Sequence, residues 1–374
     1  MDPESLKHVP GEFRVIRLDM PEFVGDWRAA DYGDPYAPRT AALRVEFGIE
    51  GVVAGQPDEF SAIRALKRWV RSRWDHGWSP CFNEVSDALD LLNFAARGEQ
   101  FTCGFYAKLF VECCTALGWP ARPVGCSLED CEFPRDYRAG NVGHAVAEVW
   151  SNDLRKWVLI DADANAHYED GGVPMSALEI RAAWFDRRVD CVEMVEEEPR
   201  FLLPREPTLR VLRELDPLYA HHTEESMRLT FERFTRHKVM DYYARLMIGG
   251  REWVDDHCLP TFIHHYGPSG GLQWTSNRAA MYPSLNSVRF TATPSWEPDR
   301  TAKLALALEH CMPFFSHFEA RVDGGGWVRC EATHEWPMHE GANVLECRAV
   351  SAMGRAGIVS RLEVAYARPQ GVFR

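Results

Sequence analysis

The sequence predicts an α+β protein, with a core of helices and strands followed by a helical extension and a C-terminal β-sandwich. Apolar residues recur at every third or fourth position over 59–74 and 101–118, a spacing typical of helices that bury one face. Over 142–163 they form two short runs around a polar turn, which indicates a β-hairpin. Residues 284–374 contain short apolar runs separated by glycine turns, which favours a small sandwich.

Length and composition narrow the class of protein. The 374 residues exceed the usual length of one domain, so we expect two or three domains. With 46% hydrophobic and 26% charged residues, the chain resembles an ordinary globular protein and not a coiled coil, a collagen or a disordered chain. The net charge of −13, from 42 basic and 55 acidic residues, would repel phosphate backbones and anionic lipids. We therefore expect neither nucleic acid nor a membrane as a partner.

The chain is predicted to divide into four segments. The first should form strands that pack on the core, because residues 13–18 and 42–49 carry short strand-like runs. The segments are 1–58 for these N-terminal strands, 59–200 for the core, 201–283 for the helical extension and 284–374 for the sandwich.

Three helices are expected in the core. The first covers 59–74 and has Asp58 as a suitable N-cap. A short second helix covers 86–96, after a loop rich in serine, proline and asparagine. The third covers 101–118 and ends at Gly118, where a residue free to adopt a left-handed conformation is commonly found.

The last segment has the spacing of an all-β module. Its apolar runs lie about ten residues apart, and turns such as 323–326 and 340–343 are rich in glycine. The pattern resembles fibronectin type III and immunoglobulin-like modules. The expected strands are 288–291, 304–308, 315–322, 344–350 and 359–366.

The N-terminus and the cysteines indicate a reducing compartment. The first residues show no basic stretch followed by an apolar one, and no run is long enough to span a membrane, so we expect a cytoplasmic protein. The 11 cysteines are odd in number and include the adjacent Cys113 and Cys114, so we interpret them as mostly reduced thiols. No CxxC pair and no calcium-type loop is present, so we expect no metal and no cofactor.

One group of residues has the requirements of thiol catalysis: a nucleophile, a base, and a third group that orients the base. Cys103 lies in the predicted first turn of a buried helix, where unpaired amides and the positive end of the helix dipole favour a thiolate. His144 lies near the start of the first hairpin strand, and Asp161 follows the second. A carboxylate opposite the histidine on a paired strand could hold the imidazole in one tautomer.

The register of the hairpin leaves two carboxylates open. A two-residue turn at Asn152 and Asp153 would place His144 opposite Asp161. A four-residue loop over 152–155 would instead place His144 opposite Asp163. Periodicity does not distinguish the two, because both carboxylates point to the same side of the strand.

These residues lie in motifs that resemble the core of the transglutaminase-like superfamily. The motifs are 98–107 (GEQFTCGFYA), 117–124 (LGWPARPV), 144–150 (HAVAEVW) and 157–161 (WVLID). The resemblance covers roughly residues 60 to 170 and implies a papain-like fold. It also implies that Cys103 is the nucleophile, that His144 is the base and acid, and that Asp161 orients the histidine.

The family often has an aromatic oxyanion donor upstream of the cysteine. The segment 73–78 (RWDHGW) is similar to that region, which makes Trp74 the first candidate and Trp78 the second. Two departures from the family pattern occur: Ala-Val follows His144 where Ala-Trp is commoner, and Ala162-Asp163 replaces the usual Pro-Thr. Neither departure removes a catalytic group, although both can reshape the acyl site.

The expected activity is cysteine-dependent acyl transfer on a peptide or protein amide, with hydrolysis as the main outcome. The superfamily's microbial members are more often peptidases and amidases than protein crosslinkers. The alternatives are a protein-glutamine transglutaminase and a peptide-N-glycanase-like amidase. A further alternative, from another class, is a non-catalytic scaffold that binds a partner through its sandwich. The sequence leaves the oligomeric state open.

Overall fold

The computed structural model describes residues 13–127, 144–199, 210, 213–214, 223–225, 245–248, 251–253, 273–275, 278–296 and 302–367. The described residues form two compact units. One consists of residues 13–29 and 282–367, and the other consists of the described residues between 30 and 281. We call them the sandwich unit and the core unit.

The core unit contains several short helices. The helices are α1 (Pro38–Phe47), α2 (Ile49–Val53), α3 (Glu59–Arg71), α4 (Ala88–Ala95), α5 (Cys103–Ala116), α6 (Ala177–Phe185) and α7 (Arg278–Met281). The predicted N-cap of α3 is confirmed, because the Asp58 side chain accepts a hydrogen bond from the Ser61 amide at 2.7 Å. Gly118 follows α5 with φ of +74°, the left-handed conformation that a glycine adopts at low cost.

Strands of the core unit form two sheets. The larger sheet has the order β10-β9-β8-β2-β3-β4, with antiparallel pairs except for the parallel β9–β10 pair. The smaller sheet has the order β6-β5-β7. The strands are β2 (Ala121–Ser127), β3 (His144–Ser151), β4 (Lys156–Ile160), β5 (Ala166–Asp170), β6 (Val173–Pro174), β7 (Val192–Glu196), β8 (Arg245–Ile248), β9 (Arg251–Trp253) and β10 (Gln273–Thr275).

Helix α5 is buried at the centre of the core unit, packed against β2 and β3. Its side chains Tyr106, Leu109, Phe110 and Cys113 are inaccessible to solvent and lie in one hydrophobic cluster. Each such side chain contributes about 1.5 to 3 kcal/mol by leaving water. This burial fixes the helix on the sheet, and therefore fixes the position of its first residue, Cys103.

The sandwich unit contains two facing sheets. One has the order β1-β17-β16-β13-β14 and the other the order β11-β12-β15. Apolar side chains from both sheets, such as Leu304 and Leu345, meet in one core around the fully buried Trp336. The strands are β1 (Phe13–Asp19), β11 (Val288–Trp296), β12 (Ala302–His310), β13 (Phe315–Val322), β14 (Val328–Cys330), β15 (Thr333–Pro337), β16 (Gly341–Ser351) and β17 (Ser360–Tyr366).

Residues 1–58 differ from the sequence prediction in two ways. The strand β1 belongs to the sandwich unit and not to the core unit, because it pairs with β17 at the edge of a sandwich sheet. The predicted strand over 42–49 is instead helical, in α1 and α2. Its alternating pattern was misleading, since Val45 is 85% exposed, whereas Leu43 is buried and Phe47, one turn later, packs against the same core. Gly48, at φ +59°, ends α1 in the left-handed conformation.

The predicted helical extension over 201–283 also needs correction. Most of it lies outside the described residues. Its described part includes three strands, β8, β9 and β10, which extend the larger sheet. The strand β8 pairs antiparallel with β2 on the side opposite β3, so β2 is an interior strand whose backbone groups are paired on both sides. Among the described residues, no helix combines the length and apolar character needed to cross a membrane.

Candidate active site

Cys103 is the first residue of α5. Thr102 occupies the N-cap position with extended backbone angles, and within the described chain its side chain makes no capping hydrogen bond. The first amides of a helix have no partner within the helix, so this end presents N–H donors and a partial positive charge. The Cys103 side chain is partly exposed. The sulfur is therefore accessible to a substrate at a position that favours negative charge.

His144 reaches the thiol because β3 lies against α5. It is the first residue of β3 and pairs with Cys126 of β2, whose thiol donates to the His144 carbonyl at 3.2 Å. A side chain added at Gly104 would touch the Cβ of Ala145 at 4.0 Å, so the helix start and the strand start are in close contact. The Cys103 sulfur and a His144 ring nitrogen lie within 4.8 Å of each other.

Asp161 holds the His144 ring from the other side. His144 Nε2 donates to Asp161 Oδ2 at 2.7 Å, which leaves Nδ1 as the ring nitrogen for the thiol. The second carboxylate oxygen of Asp161 accepts from the Ala164 amide at 2.9 Å. Asp161 is fully buried, and this pair of bonds fixes the orientation of its carboxylate. The three residues predicted to form a triad are thus brought together.

The hairpin register explains why the sequence left two carboxylates open. Ser151 pairs with Lys156, so the loop has the four residues 152–155, and this register extended further would place His144 opposite Asp163. The ladder ends at the Ala147–Ile160 pair, however, and the chain turns immediately afterwards. Asp161 closes that turn with two backbone hydrogen bonds to Ala166. The turn directs Asp161, and not Asp163, to His144 Nε2.

The histidine and the aspartate shift each other's pKa in opposite directions. Burial alone would lower the pKa of His144, but the Asp161 carboxylate and the Cys103 sulfur hold that pKa well above the usual value. Burial alone would raise the pKa of Asp161, but His144 and the Ala164 amide hold it below the usual value. Both shifts favour an imidazolium beside a carboxylate, which is the form that stabilises a neighbouring thiolate.

A second histidine–aspartate pair lies beside the first, and the sequence analysis did not identify it. His76 Nδ1 donates to both oxygens of Asp163, at 2.9 and 2.8 Å. The Asp163 side chain is 4% exposed, and a carboxylate oxygen lies within 4.8 Å of the Cys103 sulfur and of a His144 ring nitrogen. The sequence contains two signals of this pair. Asp163 lies where the family usually has Pro-Thr, and His76 lies between the two tryptophan candidates. The 87 residues between the partners hid the pairing.

The structure removes Trp74 as the first candidate for the oxyanion donor. Its indole N–H, the single hydrogen-bond donor of that side chain, donates to the Phe101 carbonyl at 3.1 Å. The ring is buried against Phe101 and Tyr106. Trp74 therefore supports the segment before Cys103. Trp78 is half-buried against Phe82 and stays a prediction as the donor.

Lys67 is a buried cation that the sequence analysis did not single out. It lies on α3, is fully buried, and forms an ion pair with Glu197 at 2.8 Å. Its ammonium also contacts His167 Nδ1 at 3.5 Å. Burial lowers the pKa of Lys67 to about 8, although Glu197 opposes the shift. Its positive charge helps to keep Asp161 ionised.

Three side chains of the site have the chemistry of metal ligands. They are the thiol of Cys103, the imidazole of His144 and the carboxylate of Asp163, with their donor atoms within 4.8 Å of one another. No metal is predicted from the sequence, because these three residues come from separate parts of the chain and form no contiguous ligand motif. Every cysteine that the structure describes is a free thiol.

The fold and the site together define an α+β core with a cysteine at a helix start and a histidine–aspartate pair on adjacent strands. Residues 49–162 match the family model described as the transglutaminase-like superfamily. The chain therefore contains a transglutaminase-like core. No curated protein matches the chain in sequence.

A solved structure also matches the chain: that of red sea bream transglutaminase, at 10% identity and a TM-score of 0.25. The match covers 99% of this chain and 79% of that one.

Proposed function

We propose that the chain is a cysteine-dependent acyltransferase that acts on amide substrates, with hydrolysis as the main outcome. One observation carries the proposal: Cys103, at the start of α5, lies beside a buried His144–Asp161 pair whose bond is 2.7 Å long. A thiol nucleophile, a base and an orienting carboxylate are the components of acyl transfer. The match of residues 49–162 to the transglutaminase-like superfamily supports the same chemistry.

In the first step the Cys103 thiolate attacks the amide carbonyl carbon. The carbonyl oxygen becomes an oxyanion, and the amides at the start of α5 are the nearest candidate donors to it. His144, charged and held by Asp161, then gives its proton to the leaving amine. The C–N bond breaks, the amine departs, and the acyl group remains on sulfur as a thioester.

In the second step an acceptor attacks the thioester. Neutral His144 takes a proton from water, the hydroxide adds to the carbonyl carbon, and the carboxylic acid leaves as the thiolate re-forms. Water is the favoured acceptor because the Cys103 side chain is partly exposed. The proposed substrate is an amide of a peptide or protein, cleaved by a peptidase or amidase activity.

Selective alkylation tests whether the nucleophile is activated. Limiting iodoacetamide at about pH 6 should label Cys103 far ahead of the other cysteines, because ordinary thiols with a pKa of about 8.5 stay protonated there. Peptide mass mapping identifies the labelled residue. Cys81, which is also partly exposed, is the matched internal reference. Uniform slow labelling would favour a non-catalytic scaffold.

Turnover tests the reaction itself. A panel of peptide amides and glutamine peptides, with and without a primary amine acceptor, should give free acid as the main product. The Cys103→Ala variant should lose the activity and Cys81→Ala should keep it. A product that carries the added amine would indicate crosslinking in place of hydrolysis. Retained turnover in Cys103→Ala, after removal of contaminating enzymes, would refute the proposal.

A further inference from the structure

We propose that Cys103, His144 and Asp163 form a Zn²⁺ site that reversibly blocks the thiol. The three donors are a sulfur, an imidazole nitrogen and a carboxylate oxygen, all within 4.8 Å of one another. These are the ligand types that zinc takes in proteins, at about 2.0 to 2.3 Å from the metal. Tetrahedral ligand atoms at those bond lengths lie about 3.5 Å apart. Side-chain rotations that move the donor atoms by about 1 Å would therefore bring them to ligand distance.

The position of Asp163 distinguishes this site from a simple cysteine–histidine–aspartate triad. In a simple triad the carboxylate lies behind the imidazole, so a metal at the thiol finds two protein ligands. Asp161 has that position here, on Nε2 of His144. Asp163 adds a third donor, near both the sulfur and the ring. Three protein ligands with one open position make a stable zinc centre.

Both non-sulfur ligands already have the outer partners that metal ligands require. Zinc-bound histidines usually donate their other ring N–H to a carboxylate, and the His144 ring donates to Asp161 at 2.7 Å. Ligand carboxylates are themselves hydrogen-bonded, and Asp163 accepts from His76 at 2.8 Å. Asp163 is also nearly buried, so burial and the His76 bond restrict its carboxylate to small movements near the sulfur and the ring.

The charges balance in the bound state. A thiolate and a carboxylate supply two negative charges, the imidazole is neutral, and Zn²⁺ supplies two positive charges. Starting from a thiolate and an imidazolium, binding releases the imidazolium proton to solvent and forms Zn–S, Zn–N and Zn–O bonds. No electron transfer is involved.

The consequence for catalysis rests on the proposed function, whereas the binding of metal does not. Coordination to Zn²⁺ draws electron density from the Cys103 sulfur and occupies the His144 nitrogen that would transfer protons, so bound Zn²⁺ should inhibit turnover and a chelator should restore it. Metal binding can be measured in the resting protein without any substrate. A failure of the zinc site and a failure of the acyl-transfer proposal are therefore distinguishable.

The test uses Co²⁺ as an optical probe and Zn²⁺ as its competitor, with the full chain. Addition of Co²⁺ should produce a thiolate-to-cobalt charge-transfer band, and Zn²⁺ should remove it. Cys103→Ser should abolish the band, and Asp163→Asn should weaken Co²⁺ affinity by at least about 10-fold. The matched controls are Cys81→Ser, for another partly exposed thiol, and Asp323→Asn, for another histidine-paired aspartate. Both controls should leave the band unchanged.

A second measurement uses the wild-type chain and needs no variant. Saturating Zn²⁺ should slow alkylation of wild-type Cys103 by at least about 10-fold, and a chelator should reverse the effect. Far-ultraviolet circular dichroism checks that each variant is folded. The proposal is overturned if the band persists in Cys103→Ser, if folded Asp163→Asn binds Co²⁺ as tightly as wild type, or if Zn²⁺ leaves Cys103 alkylation unchanged.

Discussion

A histidine paired with an aspartate occurs in both units, and the two pairs differ in their surroundings. In the core unit, the His144–Asp161 bond is 2.7 Å and the side chains are 7% and 0% exposed. In the sandwich unit, the His339–Asp323 bond is 3.1 Å and the side chains are 58% and 38% exposed. The pKa of His339 is also raised, by the Glu340 carbonyl and by Asp323. A raised histidine pKa alone therefore does not identify a catalytic pair.

The thiols of the two units make the same contrast. Cys103 is partly exposed at a helix start and lies beside His144. In the sandwich, Cys347 is fully buried, and burial holds its pKa far above the usual value. Burial likewise raises the pKa of Cys311 to about 11. A reactive site is therefore expected where an accessible thiol lies beside a buried histidine–aspartate pair. The described residues of the sandwich do not combine these two features.

The largest effect is expected from removing the histidine of the core pair. His144→Gln should reduce amide turnover by about 10⁴-fold, because both proton transfers are lost. It should also slow Cys103 alkylation at about pH 6 by about 10²-fold, since a thiol with an ordinary pKa is only about 0.3% ionised there. Steady-state kinetics and timed mass mapping measure the two effects.

His339→Gln is the matched control in the sandwich. It removes the histidine of the exposed pair and should change neither turnover nor Cys103 labelling. Equal losses of turnover in His144→Gln and His339→Gln would show that burial does not distinguish the two histidine–aspartate pairs. If His144→Gln loses turnover but keeps the reactivity of Cys103, then His144 acts in proton transfer to the leaving amine and not in activating the thiol.

The next effect is a pH-dependent loss of stability in Asp161→Asn. The lowered pKa of Asp161 contributes stability above about pH 4, which is lost as the pH falls through the folded-state value. The raised pKa of His144 contributes stability below about pH 6.5, which is lost as the pH rises through its folded-state value. The variant should therefore lose most stability between about pH 4 and 6.5, by about 3 to 5 kcal/mol.

Urea unfolding at about pH 5 and about pH 10 measures this difference. The gap between wild type and Asp161→Asn should be larger at the lower pH. Asp323→Asn should leave the unfolding curve almost unchanged at both values, because its pair is exposed to solvent and screened. A gap that grows toward alkaline pH would contradict the assigned charge states.

Much of the site could be predicted from the sequence, because Cys103 and His144 each lie in a contiguous motif. Cys103 follows from the start of a buried helix, and His144 from the start of a hairpin strand. The choice between Asp161 and Asp163 could not be predicted. It depends on where the β3–β4 ladder ends, and residue pattern alone does not give that point.

Three of the misses share one physical cause, since each depends on contacts between distant parts of the chain. His76 and Asp163 are 87 residues apart, and the Trp74 indole is used by Phe101, 27 residues later. In the fold, β1 was recognised as a strand, but its partner β17 lies at the other end of the chain. Local propensity indicates an element and leaves its partner open.

A smaller loss is expected from a structural ion pair of the core unit. Arg122 and Glu148 are nearly inaccessible to solvent and pair at 2.7 Å, and Glu148 also accepts from the Ala177 amide. Glu148→Gln leaves the Arg122 charge buried without its partner carboxylate, and should lower the free energy of unfolding by about 3 kcal/mol. Guanidinium or urea unfolding, followed by circular dichroism, measures the change.

The matched pair in the sandwich is Arg289 and Glu309, which lie opposite each other on β11 and β12 at 2.6 Å. Their side chains are 50% and 61% exposed, so water screens the attraction. Glu309→Gln should therefore cost no more than about 1 kcal/mol. If Glu148→Gln and Glu309→Gln lower the free energy of unfolding by the same amount, burial does not determine how much these ion pairs stabilise the protein.

Cys347→Ala removes one buried sulfur from the sandwich and should cost less than the loss of the buried Arg122–Glu148 pair. Cys347 lies between Ala320 and Ser360 on neighbouring strands and packs in the apolar core. A small cavity there should cost about 1 to 2 kcal/mol of unfolding free energy. Amide turnover and Cys103 labelling should stay at wild-type values, because the residue takes part in packing alone. In wild type, Cys347 should react with iodoacetamide only after urea unfolds the chain. Labelling of Cys347 in the folded protein at the rate of Cys103 would show that accessibility and pairing with a histidine do not separate reactive from inert thiols in this protein.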